Sequence, residues 1–497
     1  MVSQSELMGP ERGGAPLAIG LTRLLVLGLL AALAIWVPTE RFIHHGLAGD
    51  VWWTWKAGQW MALHHAILLH DPRAWNGPGM AGKPWINLEW GWEWLLYILV
   101  PTLSASHFLA VLLALELALM ATFYWAIRTI APRLAPELQV LSYFVYQVIF
   151  LDLKLRAEIV SYVCFPLLLT LLWKGRNNSR WLWPIPLLAA IWANIHGSWL
   201  LIVVFGGLEV LWALYQHKGH IARAMAFWSV ALPFALAVWL TPNHLATLTY
   251  TVWLDRNHDI TTYIQEWQSA NFHLPAMAVL GLAVFAAWIW RAHRRAFSPL
   301  ILDVWFAGAA FMCFDEVRML PYFGVIFLLW IAYGLNQYPL CQDRWPLAFR
   351  GRVRYPLAWV LGGIAAVSFA LPRVNSHRFL ASAVPSSIVS WLTRHPHSGV
   401  FAPYSDGGYL IAHNVRGVYI DGRADLFLYN GRRFQSYLRI ISPTACYPDQ
   451  VARIFQEAQV NRVAWPERQL GANLALFFHE RHWHAAYTSG GWTIYAP

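Results

Sequence analysis

Charge is scarce in this chain. Only 12% of its 497 residues are Asp, Glu, Lys or Arg, against 58% hydrophobic, and no sphere of this size hides so much apolar side chain from water. That excludes a soluble globule. Cysteine is scarcer still: Cys164, Cys313, Cys341 and Cys446 fall in or near different elements, which gives no basis for a disulfide framework or a zinc site. There is no G-x-x-x-x-G-K-[ST] or G-x-G-x-x-G run, so nucleotide chemistry in the cytoplasm lacks its phosphate cradle. No cleavable leader is convincing either. Residues 1–16 carry Glu6, Glu11 and Arg12 with no small-residue cleavage site after the first apolar run, and the first span is expected to stay as an anchor.

Long apolar runs are what the chain has instead. Runs of about 15 to 24 apolar residues fall at 18–37, 105–128, 138–152, 158–174, 181–195, 198–216, 224–241, 276–292, 299–315, 319–336 and 355–372. They predict a polytopic α-helical membrane protein of about 11 spans. The 31 Trp and 20 Tyr suit the membrane-water interfaces, where an amphipathic ring sits at headgroup level. A net charge of +10 would suggest nucleic acid in a soluble protein, but here the basic residues gather in short loops, so no nucleic-acid partner is expected. Arg128 and Arg133, Lys174, Arg176 and Arg180, Lys218 and Arg223, Arg291, Arg294 and Arg295, then Arg344, Arg350, Arg352 and Arg354 share one side. The positive-inside rule makes that side, with the N-terminus, cytoplasmic.

The opposite side carries a long first loop, 38–104, with an interfacial helix over 91–104. After 373 the pattern changes to that of a small α/β domain, so two units are expected: a membrane domain over 1–372 and an extracytoplasmic domain over 373–497. Residues 399–403, 418–422, 461–465 and 492–496 read as strands, and 384–394, 449–459 and 469–480 as helices. Ser405-Asp406-Gly407-Gly408 and Asp421-Gly422-Arg423 read first as turns and second as a docking surface.

The outer connections differ from the basic loops in content. They hold Asp50, Asp71, Glu89 and Glu93; then Asp152, Lys154, Arg156 and Glu158; then Asn194 and His196; then His244, Asp255, Asp259 and Glu266; and last Asp315, Glu316 and Arg318. Any one of these reads as a solvated loop residue. As a set at span ends, where a charge is costly unless paired or wetted, they predict a shared cavity in which Asp50, Arg156, His196 and Arg318 converge. Glu116 and Glu209 lie deeper, where a protonated carboxyl bonded across helices explains each as well as a function does, and they are not placed in the site. His64, His65 and His70 show no sustained ligand pattern.

The arrangement resembles the GT-C superfamily of polyprenyl-phosphate-sugar-dependent glycosyltransferases, which includes protein mannosyltransferases, oligosaccharyltransferase catalytic subunits and the aminoarabinose transferases of lipid A. The resemblance is to architecture over the whole chain: an Asp soon after span one, amphipathic helices in a long first outer loop, acids in the second, and a soluble outer domain. The runs DVWW, HDP, GKPWINLEW, NIHGSW, LTP, IQEWQ, RMLPYF, DGGYL and YIDGRADLF look like an uncharacterised bacterial branch related to it. The chain departs from the family pattern where Asp50 is followed by Val-Trp-Trp rather than a second acid.

Transfer of a sugar from a lipid phosphate needs a base near the acceptor, charge on the departing phosphate and a groove for the prenyl chain. Asp50 is placed to be that base, or equally to cap a helix from Val51. Glu89 and Glu93, i,i+4 on one helix face, would assist Asp50 or orient the acceptor, or be surface acids. The resemblance implies a second acidic motif at Asp152 and Glu158 that contacts a divalent metal, Mg or Mn, or phosphate, with Arg156 as the phosphate-facing cation; a self-satisfied salt-bridge cluster is the alternative. His196 and Arg318 are further phosphate-binding candidates, and Glu266 with Trp267 candidates for sugar hydroxyls and ring stacking. The resemblance thus implies an inverting-type glycosyltransferase of the bacterial inner membrane. Its partners would be a polyprenyl-phosphate-linked sugar, a lipid, glycan or protein acceptor and the membrane lipids. A surface-polysaccharide polymerase or ligase with a diphosphate-linked donor, or a transporter or scaffold, stays open beside it.

Overall fold

A computed structural model describes residues 14–45, 47, 49–293, 300–338, 380, 384–396, 399–442 and 447–497, with backbone alone for 14–26 and 44–45. Helix α1 (Gly14–His45) precedes α2 (Gly49–His64), which begins one residue before Asp50, and α3 (Trp90–Leu99) closes the long first connection. Six segments among the described residues are long and apolar enough to cross a membrane. They are α4 (Ala105–Ile130), a segment Glu158–Gly175, and the segments Gly197–Tyr215, Gly219–Trp239, Pro275–His293 and Val317–Leu335.

The predicted span 18–37 falls inside α1, and the other remaining spans are shorter or lie outside the described residues. The 138–152 run forms α5 (Pro136–Val145), continued by a π-helical turn over Tyr146–Phe150. After α6 (Glu158–Gly175), the 181–195 run is reduced to α7 (Ile185–Ala193). Next come α8 (Leu200–Tyr215), α9 (Gly219–Met225), α10 (Leu232–Trp239), α11 (Leu245–Asp255), α12 (His258–Tyr263), α13 (Pro275–His293), α14 (Leu300–Asp315) and α15 (Leu320–Leu335). The predicted span 355–372 lies outside the described residues, as do Arg294, Arg295 and the basic residues from Arg344 to Arg354.

Burial differs sharply within the bundle. α15 is packed on nearly every side, whereas α13 leaves Val279, Leu282, Phe285 and Trp288 exposed, a face suited to lipid rather than water. The two deep acids are tied to neighbouring helices. Arg176 Nε donates to Glu209 Oε2 at 2.8 Å with its guanidinium over Trp173, and Thr39 Oγ1 donates to Glu116 at 3.2 Å. Each charge or carboxyl thereby gains the partner that a low-dielectric setting demands.

Beyond the membrane helices, α16 (Ser386–Arg394) leads into a four-stranded sheet of order β1-β2-β4-β3, made of β1 (Gly399–Phe401), β2 (Val460–Pro466), β3 (His484–Ser489) and β4 (Trp492–Ala496). β1 and β2 are parallel, and the other two pairings antiparallel. α17 (Tyr404–Ala412), α18 (Ala424–Tyr429), α19 (Arg433–Ile441), α20 (Pro448–Glu457) and α21 (Ala472–Glu480) pack around it.

Two expectations for this domain change. Ser405 to Gly408 is no turn but the first part of α17, and its glycines serve close approach: a Cβ on Gly407 would stand 2.0 Å from the Ile420 carbonyl oxygen. The 418–422 strand shrinks to one bridge, Val400 to Val418. The Val418 amide donates instead to Trp75 of the first outer loop at 2.8 Å, so that loop borders the sheet where a strand neighbour was expected.

The α/β domain is clamped onto α2. A Cβ on Gly49 would meet the Ser405 carbonyl oxygen at 2.5 Å, and one on Gly422 would meet Asp50 Oδ1 at 2.4 Å. At Gly49 only hydrogen fits between the two backbones, and at Gly422 a Cβ would displace the Asp50 and Trp53 side chains. Arg423 completes the joint with bonds to Asp421 at 2.7 and 2.9 Å, to Asn76 at 2.7 Å and to Asp71 at 3.1 Å.

Candidate functional site

Asp50 occupies the first turn of α2, inside the helix rather than capping it, where a carboxylate also meets the positive end of the helix dipole. Trp53, one turn on, donates its indole N–H to Asp50 Oδ1 at 3.2 Å. The other oxygen lies 3.0 Å from Arg156, which sits just before α6. Arg156 also forks onto Glu266 at 3.1 and 3.3 Å and approaches Glu158, the first residue of α6, at 3.6 Å. One guanidinium therefore holds three acids from three separate connections. Burial opposes the Arg156 charge, but Glu158, Asp50 and Glu266 more than offset it and raise its pKa well above the ordinary value.

Burial raises the Asp50 carboxyl above its usual range, against the pull of Arg156 and Trp53. Glu266 goes the other way: burial pushes it up, but Arg156 wins and holds it below the ordinary value. The acid of higher pKa is the better proton acceptor near neutrality.

His196 stands between α7 and α8, where Trp90 Nε1 donates to the neighbouring Asn194 at 2.8 Å and locks the turn to α3. Its Nε2 lies 3.9 Å from both Glu89 and Glu158, and its Nδ1 faces Ser198 Oγ at 2.7 Å. Ser198 Oγ in turn accepts the Tyr322 hydroxyl at 2.9 Å. Burial pushes the imidazole down to about 4, so it is neutral at pH 7 and its nitrogen is free to act as a ligand. Burial and Glu158 hold the Glu89 carboxyl well above the ordinary range. One ligand atom each from Glu89, Glu158 and His196 falls within 4.8 Å of the others, and Glu158 Oε2 is buried with no hydrogen-bond partner. Two carboxyl groups, one of them with an orphaned oxygen, and an imidazole form a donor set suited to a divalent cation.

These groups line a cavity of about 590 Å³ together with Trp267, over whose ring Arg318 lies at 3.7 Å. A second cavity of about 380 Å³ on the far side shares Arg156, Glu158, His196, Glu266 and Arg318 and adds Arg41 and Lys154. Its floor includes Ile149 and Phe150 of the π-helical turn. The charge cluster is thus a partition between two cavities.

Of the residues singled out from sequence, Asp50, Glu89, Arg156, Glu158, His196, Glu266, Trp267 and Arg318 meet at the first cavity. Glu93 and Asp152 do not. Glu93 faces inward from α3, fully buried, taking a 2.7 Å bond from Asn87, and burial lifts its carboxyl to about 8. The i,i+4 spacing put Glu89 and Glu93 on one face, but Glu89 precedes α3 and is not part of that helix. Asp152 turns to Lys154 at 2.7 Å and remains 78% exposed; the acids near Glu158 and His196 are Glu89 and Arg156-bound Asp50 and Glu266 instead.

No family model matches the chain, and a search of curated proteins finds no match. Solved structures do match. The archaeal oligosaccharyltransferase AglB from Archaeoglobus fulgidus, in complex with an inhibitory peptide and a dolichol-phosphate, superposes with a TM-score of 0.58 at 11% identity, covering 96% of this chain and 74% of that one. The chain has the GT-C fold. The Archaeoglobus fulgidus oligosaccharyltransferase in the apo form gives 0.57 with the same identity and coverage, and its complex with Zn and sulfate gives 0.56 at 11% identity over 95% of this chain and 73% of that one.

The first cavity also receives residues to which sequence reasoning gave no role in the site. Trp53, Trp85, Tyr404, Gly422 and Asp425 all line it, the last three from the outer domain. The signals available were the runs DVWW, GKPWINLEW and YIDGRADLF, and Asp421-Gly422-Arg423 read first as a turn and second as a docking surface; nothing local showed that this segment faces α2.

Proposed function

We propose that this protein is an inverting membrane glycosyltransferase that moves a sugar from a polyprenyl-phosphate donor to an acceptor hydroxyl, amine or amide at the outer face of a bacterial inner membrane. The observation that carries the reading is the Asp50 to Arg156 contact of 3.0 Å in the wall of the 590 Å³ cavity, which puts a base and a phosphate-binding cation side by side. The fold likeness to an oligosaccharyltransferase solved with dolichol-phosphate supports a lipid-phosphate donor.

In this mechanism a phosphate arriving at the partition competes with Asp50 and Glu266 for Arg156. Asp50, released from its ion pair, takes the acceptor proton as the new bond to the anomeric carbon forms. The bond from that carbon to the phosphate oxygen breaks with its electron pair on the phosphate, whose charge Arg156 and Arg318 meet. Trp267 fixes the Arg318 guanidinium in place. Glu89, Glu158 and His196 fit a divalent cation, with Ser198 orienting the imidazole. When bound, such an ion adds positive charge against the leaving phosphate. The complex of the neighbour with Zn and sulfate supports this part of the reading.

The test is transfer from a labelled polyprenyl-phosphate sugar in liposomes. Asp50→Asn keeps size and helix-terminus bonding but not basicity, so turnover should fall by about 10²–10⁴ with the melting temperature nearly unchanged. Full turnover by the folded variant removes Asp50 from the base role. Orientation has its own check. Arg73→Cys and Arg432→Cys, both at exposed positions, should react with an impermeant thiol reagent in intact spheroplasts; protection of both until lysis would reverse the topology.

A further inference from the structure

The first cavity has a second acid-and-tryptophan pair that the transfer step does not use. Trp53 and Trp85 meet edge to face, 5.9 Å between ring centroids at 68°, and both line the cavity. Each points its indole N–H at a carboxylate: Trp53 at Asp50 (3.2 Å) and Trp85 at Asp425 (3.3 Å). The aromatic corner is therefore flanked by an acid at each end.

The two acids differ in their partners. Asp50 is neutralised by Arg156. Asp425 is held by neutral donors, the Tyr250 hydroxyl at 2.9 Å and Trp85, and no ion pair to it occurs among the described residues. Its sequence neighbour Arg423 is committed to Asp421 and Asp71. Tyr250 is itself fixed by packing on Trp253 and Tyr429, so the carboxylate is rigidly presented from three separate parts of the chain.

We propose that Asp425 is a specificity-determining residue, the hydroxyl acceptor of a saccharide subsite walled by Trp53 and Trp85. A sugar offers what this corner can take: C–H faces for an aromatic wall and donor hydroxyls for a carboxylate. The geometry places this subsite beside Asp50, so the ring it takes is that of the donor or of a glycan acceptor. Because a buried acceptor rejects an analogue that cannot donate to it, Asp425 sets which sugar is held rather than how fast the bond breaks. This rests on the glycosyltransferase reading for the donor but not for saccharide binding itself.

The full-length protein in detergent is titrated with undecaprenyl phosphate, with a panel of undecaprenyl-phosphate hexoses and pentoses, and with soluble methyl glycosides and oligosaccharides that quench tryptophan fluorescence. Asp425→Asn should weaken a sugar-bearing lipid by about 10-fold and leave bare undecaprenyl phosphate within about twofold. In turnover, the KM of whichever substrate brings the ring should rise with little change in kcat, which separates donor from acceptor as its source. Tyr250→Phe, which loosens the carboxylate without touching the cavity lining, should show a smaller shift in the same direction. Equal affinities of wild type and Asp425→Asn for every sugar-bearing ligand would overturn the proposal, as would equal loss for bare and sugar-bearing lipid. Should wild type bind neither lipid, the donor reading above falls, and the soluble saccharides decide: quenching lost in Asp425→Asn keeps the subsite, and unchanged or absent quenching removes it.

Discussion

Arg156 and Arg423 are both ringed by acids, but the first side chain is 24% exposed and the second 0%. Arg156 gathers Asp50, Glu158 and Glu266 from separate outer connections and faces two cavities. Arg423 binds Asp71 and Asp421, donates also to Asn76 Oδ1 and lies about 5 Å from each of the Trp75 and Trp85 rings. Both clusters join distant segments, yet only the open one can exchange a partner for a ligand. A sealed ion pair has no competitor for its bonds, so its cost is paid once, on folding, and it acts as a staple. An open one holds charge ready for an incoming anion.

The largest effect should come from breaking the staple. Arg423→Ala leaves Asp71 and Asp421 buried without their cation and should cost about 3–5 kcal/mol. It should appear as a lower melting temperature in detergent and as protease cleavage between the outer domain and the bundle. A variant that melts like wild type would mean that the Gly49 and Gly422 contacts alone hold the domain. Arg318→Ala acts on the open cluster. It removes a charge-assisted contact to phosphate and should raise the donor KM by about 10- to 100-fold, with the melting temperature nearly intact. A matching loss of stability would place Arg318 with the staple instead.

The smallest effect is a pH slope. Burial lifts the Glu93 carboxyl to about 8, so the folded state binds a proton that the unfolded chain releases near about 4.3. The stability Glu93 contributes is full below the unfolded value and is lost as pH rises through about 8. Melting temperature should therefore decline across that window, and Glu93→Gln should flatten the decline. An unchanged slope in Glu93→Gln would assign it to other groups, Asp71 among them, whose carboxyl burial lifts to about 7.

How legible was the site? Asp50, Arg156, His196 and Arg318 stood out because charge at the end of an apolar run is costly and so has few reasons to be there. Glu93 stood out for the same reason and proved to be buried against Asn87, since i,i+4 spacing tells which residues share a face but not what covers it. Asp425 stood out only as one letter of the YIDGRADLF run, with no role of its own. It sits in a short helix of an ordinary-looking soluble domain, and its meaning comes from Trp85, 340 positions away. Tyr404 was missed for the same reason, and Gly422 was read only as part of a turn or docking surface.

The sequence by itself determined that the chain is a helical membrane protein with an α/β domain at its end, because desolvation of backbone and side chains depends on local apolar content that a run of residues carries with it. It also determined where the costly charges lie. Only the tertiary structure decided that α17 is a helix packed on α2 and that one arginine faces a cavity while another is sealed. Those outcomes depend on which surfaces meet, and two surfaces hundreds of residues apart leave no periodic trace in either segment.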